Sequence, residues 1–168
     1  MKKRITALFA GLFVAASALA TPIQQDTLEL RLGGNLDFDN PNGKVDFLFD
    51  TGLGYFVLDN IEAGGLLAWG YDGSEFGYGI GGFGEFNLDL EIFMMPYVGL
   101  KLQYFFGDFY VKNFINFEFT GGAKFFLSEE VAIFTELYYD LASEDAYING
   151  SEAKNYDVGM KMGVRCYF

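Results

Sequence analysis

From Leu28 onward, apolar and polar residues alternate with a period of two over most of the chain. That period places successive side chains on opposite faces of a strand, so the pattern predicts β-structure. Leu28, Leu30, Leu32, Gly34, Leu36 and Phe38 form a first apolar row, and Val45, Phe47, Phe49, Thr51, Leu53 and Tyr55 a second. Six further rows run Ile61–Tyr71, Phe76–Phe86, Ile92–Tyr104, Ile115–Phe125, Val131–Leu141 and Tyr156–Phe168, again on alternate residues. The expected architecture is all-β, with eight strands.

The alternate rows carry Glu29, Arg31, Asp46, Asp50, Glu62, Glu85, Lys101, Gln103, Asn116, Glu118, Lys124, Glu136, Asp140, Asp157, Lys161 and Arg165, whereas no apolar row holds a charge. A soluble barrel would turn its polar rows outward. Here the polar rows are assigned to a lumen and the apolar rows to lipid, where a charge near the midplane costs about 2–4 kcal/mol. An even strand number suits closure of an antiparallel barrel, and closure leaves no backbone edge in hydrocarbon. The expected fold is therefore an eight-stranded antiparallel up-and-down transmembrane β-barrel. Asp59-Asn60, Leu88 to Glu91 and Ser128-Glu129-Glu130 are the short turns expected in the periplasm. Asp39–Gly43, Asp72–Glu75, Gly107–Asn113 and Ala142–Lys154 form the other, outward connections. Trp69, Tyr71, Tyr78, Tyr104, Tyr139 and Tyr156 suit one membrane interface, and Tyr55, Phe86, Phe125 and Phe168 the other. Pro96 falls near the start of the fifth strand, where a missing donor costs least.

The first residues read differently. Lys2, Lys3 and Arg4, then the apolar stretch Ile5 to Ala15, then Ala18-Leu19-Ala20 have the order of a secretory signal cleaved after Ala20. Residues 1–20 are expected to be a signal peptide, and residues 21–168 one barrel domain. The mature part holds eight basic and all 23 acidic residues, a net charge of −15, which argues against nucleic-acid binding. At 19% aromatic with 22 Gly, the chain suits neither a helical bundle nor a disordered segment. Its single Cys, Cys166, cannot form an internal disulfide.

The last eight residues, Lys161-Met162-Gly163-Val164-Arg165-Cys166-Tyr167-Phe168, resemble the terminal signal read by the outer-membrane barrel-assembly machinery. Gly163, Cys166 and Phe168 occupy its defining slots; Cys166 departs from the aromatic or larger aliphatic residue usual there. Asp59–Gly65 (DNIEAGG), Met95–Leu100 (MPYVGL) and Gly121–Leu137 (GGAKFFLSEEVAIFTEL) resemble the small outer-membrane barrels of the OmpX/OmpW-like and opacity-protein-like families. The resemblance implies a location in the cell outer membrane, reached through the periplasm. The implied partners are membrane lipid, lipopolysaccharide and the assembly machinery, with a surface partner possible through the loops. A monomer is expected.

Candidate chemistry is sparse. Barrel enzymes that act on lipids or peptides use His, the readiest general base at neutral pH, and this chain has no His. No catalytic residue, cofactor or metal ligand set is assigned. Asp37, Asp39 and Asn40 fail the EF-hand spacing and read as a solvated turn. The glycine run Gly79 to Gly84 imitates a nucleotide-binding loop, yet no helix follows it, so close strand packing is the better account. Glu144, Asp145 and Glu152 read as a solvated loop tip, with divalent-cation or partner binding as the alternative. The remaining constellation is inside: Glu29, Glu62, Glu85, Glu118 and Glu136 against Arg31, Lys101, Lys124, Lys161 and Arg165. Closure of the first strand on the last should bring Glu29 or Arg31 near Lys161 and Arg165. The expected role of the set is an ion-paired plug in a lumen just wide enough for side chains. That makes the chain a non-catalytic barrel with a structural, adhesive or surface-interaction role; a narrow channel or small-molecule conduit is the alternative.

Overall fold

The structure, a computed structural model, describes residues 23–37, 46–71, 73–90, 94–110, 112–149 and 152–168. The expected signal segment with Ala18 and Ala20, and Phe38, Asp39–Gly43, Val45, Asp72 and Ile92, lie outside the described residues. Strands β1 (Leu28–Asp37), β2 (Asp46–Leu58), β3 (Ile61–Tyr71), β4 (Phe76–Asn87), β5 (Met94–Gly107), β6 (Phe114–Phe126), β7 (Val131–Ala142) and β10 (Tyr156–Tyr167) form the wall. Each pairs antiparallel with its neighbours in chain order, and β1 closes on β10. The result is the expected eight-stranded up-and-down barrel. Its strands run 10 to 14 residues, enough to cross a bilayer when tilted.

The facing follows the sequence pattern. Leu137, Val158 and Leu53 are 65%, 64% and 60% exposed, while Glu29, Arg31, Glu62, Lys124 and Arg165 are wholly buried. Water would penalise such an exterior, and hydrocarbon favours it. Outward aromatics form a belt near the end of the barrel that carries the longer connections. Phe49 and Trp69 (4.7 Å), Tyr71 and Phe76 (4.6 Å), Tyr78 and Phe106 (5.9 Å), and Tyr139 and Tyr156 (6.3 Å) touch across neighbouring strands.

The two ends differ in how the chain turns. At the turn end, Asp59-Asn60 joins β2 to β3 with Asn60 in the left-handed region (φ 66°) and a register shift between Phe56 and Leu58. Phe168 also ends there, and its backbone exchanges hydrogen bonds with Leu28 (3.0 and 3.1 Å) that fasten the β1–β10 closure. At the loop end, the connection from β7 to β10 is not a plain loop: β8 (Tyr147–Asn149) and β9 (Glu152–Lys154) pair as a small hairpin. The stretch Ala142–Lys154, expected as a loop, thus holds two short paired strands. Pro96 is the third residue of β5, close to the strand's start, and its carbonyl accepts from Leu88 N–H (2.8 Å).

Candidate functional site

The inward rows hold three layers, of which only the middle one follows from the charged residues. At the turn end, Ile23, Phe56, Met95, Phe126, Ala132 and Tyr167 pack into a buried apolar cluster. At the loop end, Ala68, Phe105, Phe114 and Ala142 form a second, completed by Tyr110, Ala146 and Tyr147. Sequence reasoning missed both clusters, because Phe and Tyr on an inward row look like interruptions of the polar pattern. The signal was available: Phe56, Phe105, Phe114, Phe126 and Tyr167 sit on polar-row positions close to strand ends.

Between the clusters lies the ionic layer. Arg165 meets Glu85 with both terminal nitrogens (2.7 and 3.0 Å) and Glu29 with one (2.8 Å). Arg31 donates to both Glu136 oxygens (3.2 Å each) and reaches Glu85 (3.4 Å) and Asp50 (3.7 Å). Lys124 is held by Glu85 (2.9 Å), Glu29 (3.1 Å) and Glu62 (3.6 Å). Lys101 joins Glu136 (2.7 Å) to Glu118, and Lys161 binds Glu118 (2.7 Å). The structure brings Glu29, Arg31, Glu62, Glu85, Lys101, Glu118, Lys124, Glu136, Lys161 and Arg165 together in this layer.

Aromatic rings complete the coordination. The Arg165 guanidinium lies against Tyr97 (4.6 Å) and Phe134 (4.7 Å), and Arg31 against Phe134 (5.3 Å) and Phe83 (5.5 Å). Lys124 sits among Tyr97, Phe56 and Tyr167 at 5.3 to 5.9 Å. Such contacts add attraction where water is excluded. Glycines leave the room: a Cβ on Gly52 would lie 2.8 Å from Arg31 Cγ, and one on Gly54 would strike the Glu62 carboxylate.

Two expectations need correction. Arg165 does meet Glu29, but Lys161 meets neither Glu29 nor Arg31; it reaches over β7 to Glu118. Glu29 is level with Tyr167 in the β1–β10 ladder, so Lys161 lies six residues further along β10, roughly 20 Å at strand rise. Nor do five acids meet five bases. Asp50 and Asp140 are buried too, giving seven carboxylates to five cations among the described buried residues.

The register explains why pairing runs across the lumen. Glu62 is the direct cross-strand partner of Glu85, and Arg31 of Arg165. Like charges placed side by side repel, so each finds a counter-ion on a strand that is not its neighbour, in addition to the lateral contacts of Arg165 with Glu29 and of Arg31 with Asp50. Arg165 of β10 and Arg31 of β1 both reach Glu85 of β4, and Lys124 of β6 reaches Glu29 of β1. These contacts brace the barrel's cross-section.

The loop end is less settled. Glu118, Asp140 and Asp157 are successive cross-strand partners on β6, β7 and β10. Tyr138 donates to Asp157 (2.9 Å) and Tyr147 to Asp140 (3.3 Å). Burial and then the Asp140 carboxylate push the Tyr147 hydroxyl above its ordinary range, so it remains a donor. Gly163, Cys166 and Phe168 all lie in the closing segment; Cys166 is half-buried with a free thiol, and Phe168 is exposed.

Comparison with known proteins bears on the fold. No family model matches the chain, and no curated protein does. Among solved structures, the N-terminal β-barrel domain of Pseudomonas aeruginosa OprF is similar at TM-score 0.60 and 16% identity, covering 87% of this chain and 100% of that one. Neisserial surface protein A is similar at TM-score 0.56 and 17% identity, covering 85% and 95%. A de novo designed transmembrane β-barrel is similar at TM-score 0.55 and 16% identity, covering 88% and 100%. The likeness is one of fold, and it does not single out the OmpX/OmpW-like or opacity-protein-like families.

Proposed function

We propose that this chain is a non-catalytic integral barrel of a bacterial outer membrane, with a closed lumen and a structural or surface-interaction role. The observation that carries this reading is the inversion of polarity together with the cross-lumen network. Apolar side chains cover the outside, and Arg31, Lys101, Lys124, Lys161 and Arg165 fill the inside with their counter-ions. A lumen filled by mutually paired side chains and capped at both ends by aromatic clusters leaves no continuous polar path. The carboxylates of Glu29, Asp50, Glu62, Glu85, Glu118 and Glu136 are engaged as counter-ions, so the ionic layer offers bracing in place of acid–base chemistry. In this orientation the turn end faces the periplasm, and the loops, with the β8–β9 hairpin, face outward to lipopolysaccharide and any surface partner. The segment Lys161–Phe168, which closes the barrel against β1, is the part read by the assembly machinery.

A narrow conduit is the second reading. The observation that favours it is the set of buried acceptors without hydrogen-bond partners at Asp50, Asn116 and Asp140. Two measurements separate the readings. Purified barrel in planar bilayers should give no discrete openings; regular openings well above baseline would establish the conduit. Fractionation with heat-modifiable gel mobility tests the membrane assignment: wild type should fold into the outer membrane. Gly65→Arg and Leu100→Arg, both on the outer face, should fail to assemble, and normal assembly of both would overturn the facing.

A further inference from the structure

In the ionic layer every cross-strand pair of like charges is met by an opposite charge. Glu62 and Glu85 share Lys124, and Arg31 and Arg165 share Glu85. The exception is at the loop end. Asp140 and Asp157 are direct cross-strand partners, yet among the described residues neither has an ammonium or guanidinium within ion-pair distance. Lys161, the nearest candidate on β10, is drawn to Glu118.

A second observation, independent of the acids, marks the same place. Asn116 is 2% exposed, and its Oδ1 has no hydrogen-bond partner. The Asp140 Oδ1 also has none. Buried acceptors left unmade are costly, and what they lack is a donor. Above them stand aromatic faces: Phe114 packs edge-on to Tyr147 (6.1 Å) and Tyr110 (5.2 Å), and Tyr147 itself hydrogen-bonds Asp140. Asp157 and Tyr147 are only half-buried, so the group of acceptors runs from the solvent side down to the buried Asn116 and Asp140.

We propose that this loop-end group of acceptors binds a small primary ammonium ion. Its three N–H donors match Asp140 Oδ1, Asn116 Oδ1 and the Asp157 carboxylate; its charge answers the unpaired acids, and its alkyl group lies against Phe114 and Tyr147. A compact metal ion suits the place less well, because no three acidic or thiol ligands converge there among the described residues. The inference goes beyond the closed-lumen reading and does not depend on it: a conducting barrel would overturn that reading and leave this one standing.

The test is calorimetric titration of the folded protein, in zwitterionic detergent, with propylammonium, tetramethylammonium and sodium chlorides. Propylammonium should bind saturably and at least tenfold more tightly than the other two. Asp140→Asn should weaken it at least tenfold, while Glu130→Gln at the opposite end should change nothing. In wild type, NMR shifts should move at the Asn116 side-chain amide during the titration. The proposal is overturned by absence of saturable binding, by equal binding of tetramethylammonium, or by shifts that spare Asn116.

Discussion

The two apolar caps seal the same lumen by different means. The turn-end cap is almost entirely strand-borne. Phe56, Met95, Phe126, Ala132 and Tyr167 belong to β2, β5, β6, β7 and β10, and only Ile23 comes from outside the sheet. The loop-end cap has four strand residues, and its covering groups, Tyr110, Ala146 and Tyr147, come from connections. Strand residues are fixed by the ladders on either side, whereas a loop residue is held by its own contacts. One end of the barrel is thus closed by its register and the other by side chains that can be displaced singly.

The comparison is broken most severely at the fixed end. Phe56 is wholly buried, touches Tyr167 (6.5 Å) and shields Lys124 (5.6 Å). Phe56→Ala should cost about 3–5 kcal/mol, the range for a large aromatic removed from a core that cannot collapse. Urea unfolding followed by gel mobility measures it. A loss under about 1 kcal/mol would mean that the turn-end cap is as loosely held as the other.

How much of this was legible in the sequence depends on whether an interaction is lateral or crosses the lumen. Which face each residue occupies follows from period two, so Leu137 outward and Glu136 inward needed no structure. Lateral partners follow from turn positions: once Asp59-Asn60 is a tight turn, Glu62 must lie beside a residue of β2. Cross-lumen partners do not follow. That Arg31 meets Glu136 and Lys161 meets Glu118 depends on strand tilt and on the reach of long side chains across a narrow bore. The caps were hidden because hydrophobicity alone does not distinguish an aromatic facing lipid from one plugging an end; only its parity within the row does. The hairpin β8–β9 was hidden because three-residue strands are too short to show a period.

At the displaceable end, Gly77 sharpens the contrast. It lies beneath Phe109 and Tyr110, and a methyl group on it would press on the Tyr110 ring and on Phe109 Cβ. Gly77→Ala therefore pushes the cover outward without deleting any of it. The overpacking should cost about 1–3 kcal/mol, and amide exchange should quicken in the β5–β6 connection while β6 itself stays protected. Uniform exchange across both caps would show that the ends are coupled and that the distinction between them fails.

The smallest effect isolates a single bond. Tyr147 belongs to the hairpin, and its hydroxyl donates to Asp140 in the wall at 3.3 Å. Tyr147→Phe keeps the ring against Phe114 (6.1 Å) and removes only that donor. A lone hydrogen bond contributes about 0.5–1.5 kcal/mol, and a slightly long one belongs at the lower end. The bond ties a connection to a barrel already closed by its ladders, so the loss should appear in the hairpin's own exchange rates, with the global unfolding midpoint nearly unchanged. If the midpoint instead falls as far as it does for Phe56→Ala, the loop-end cover is part of the barrel's cooperative core, and the lumen is closed by its register at both ends.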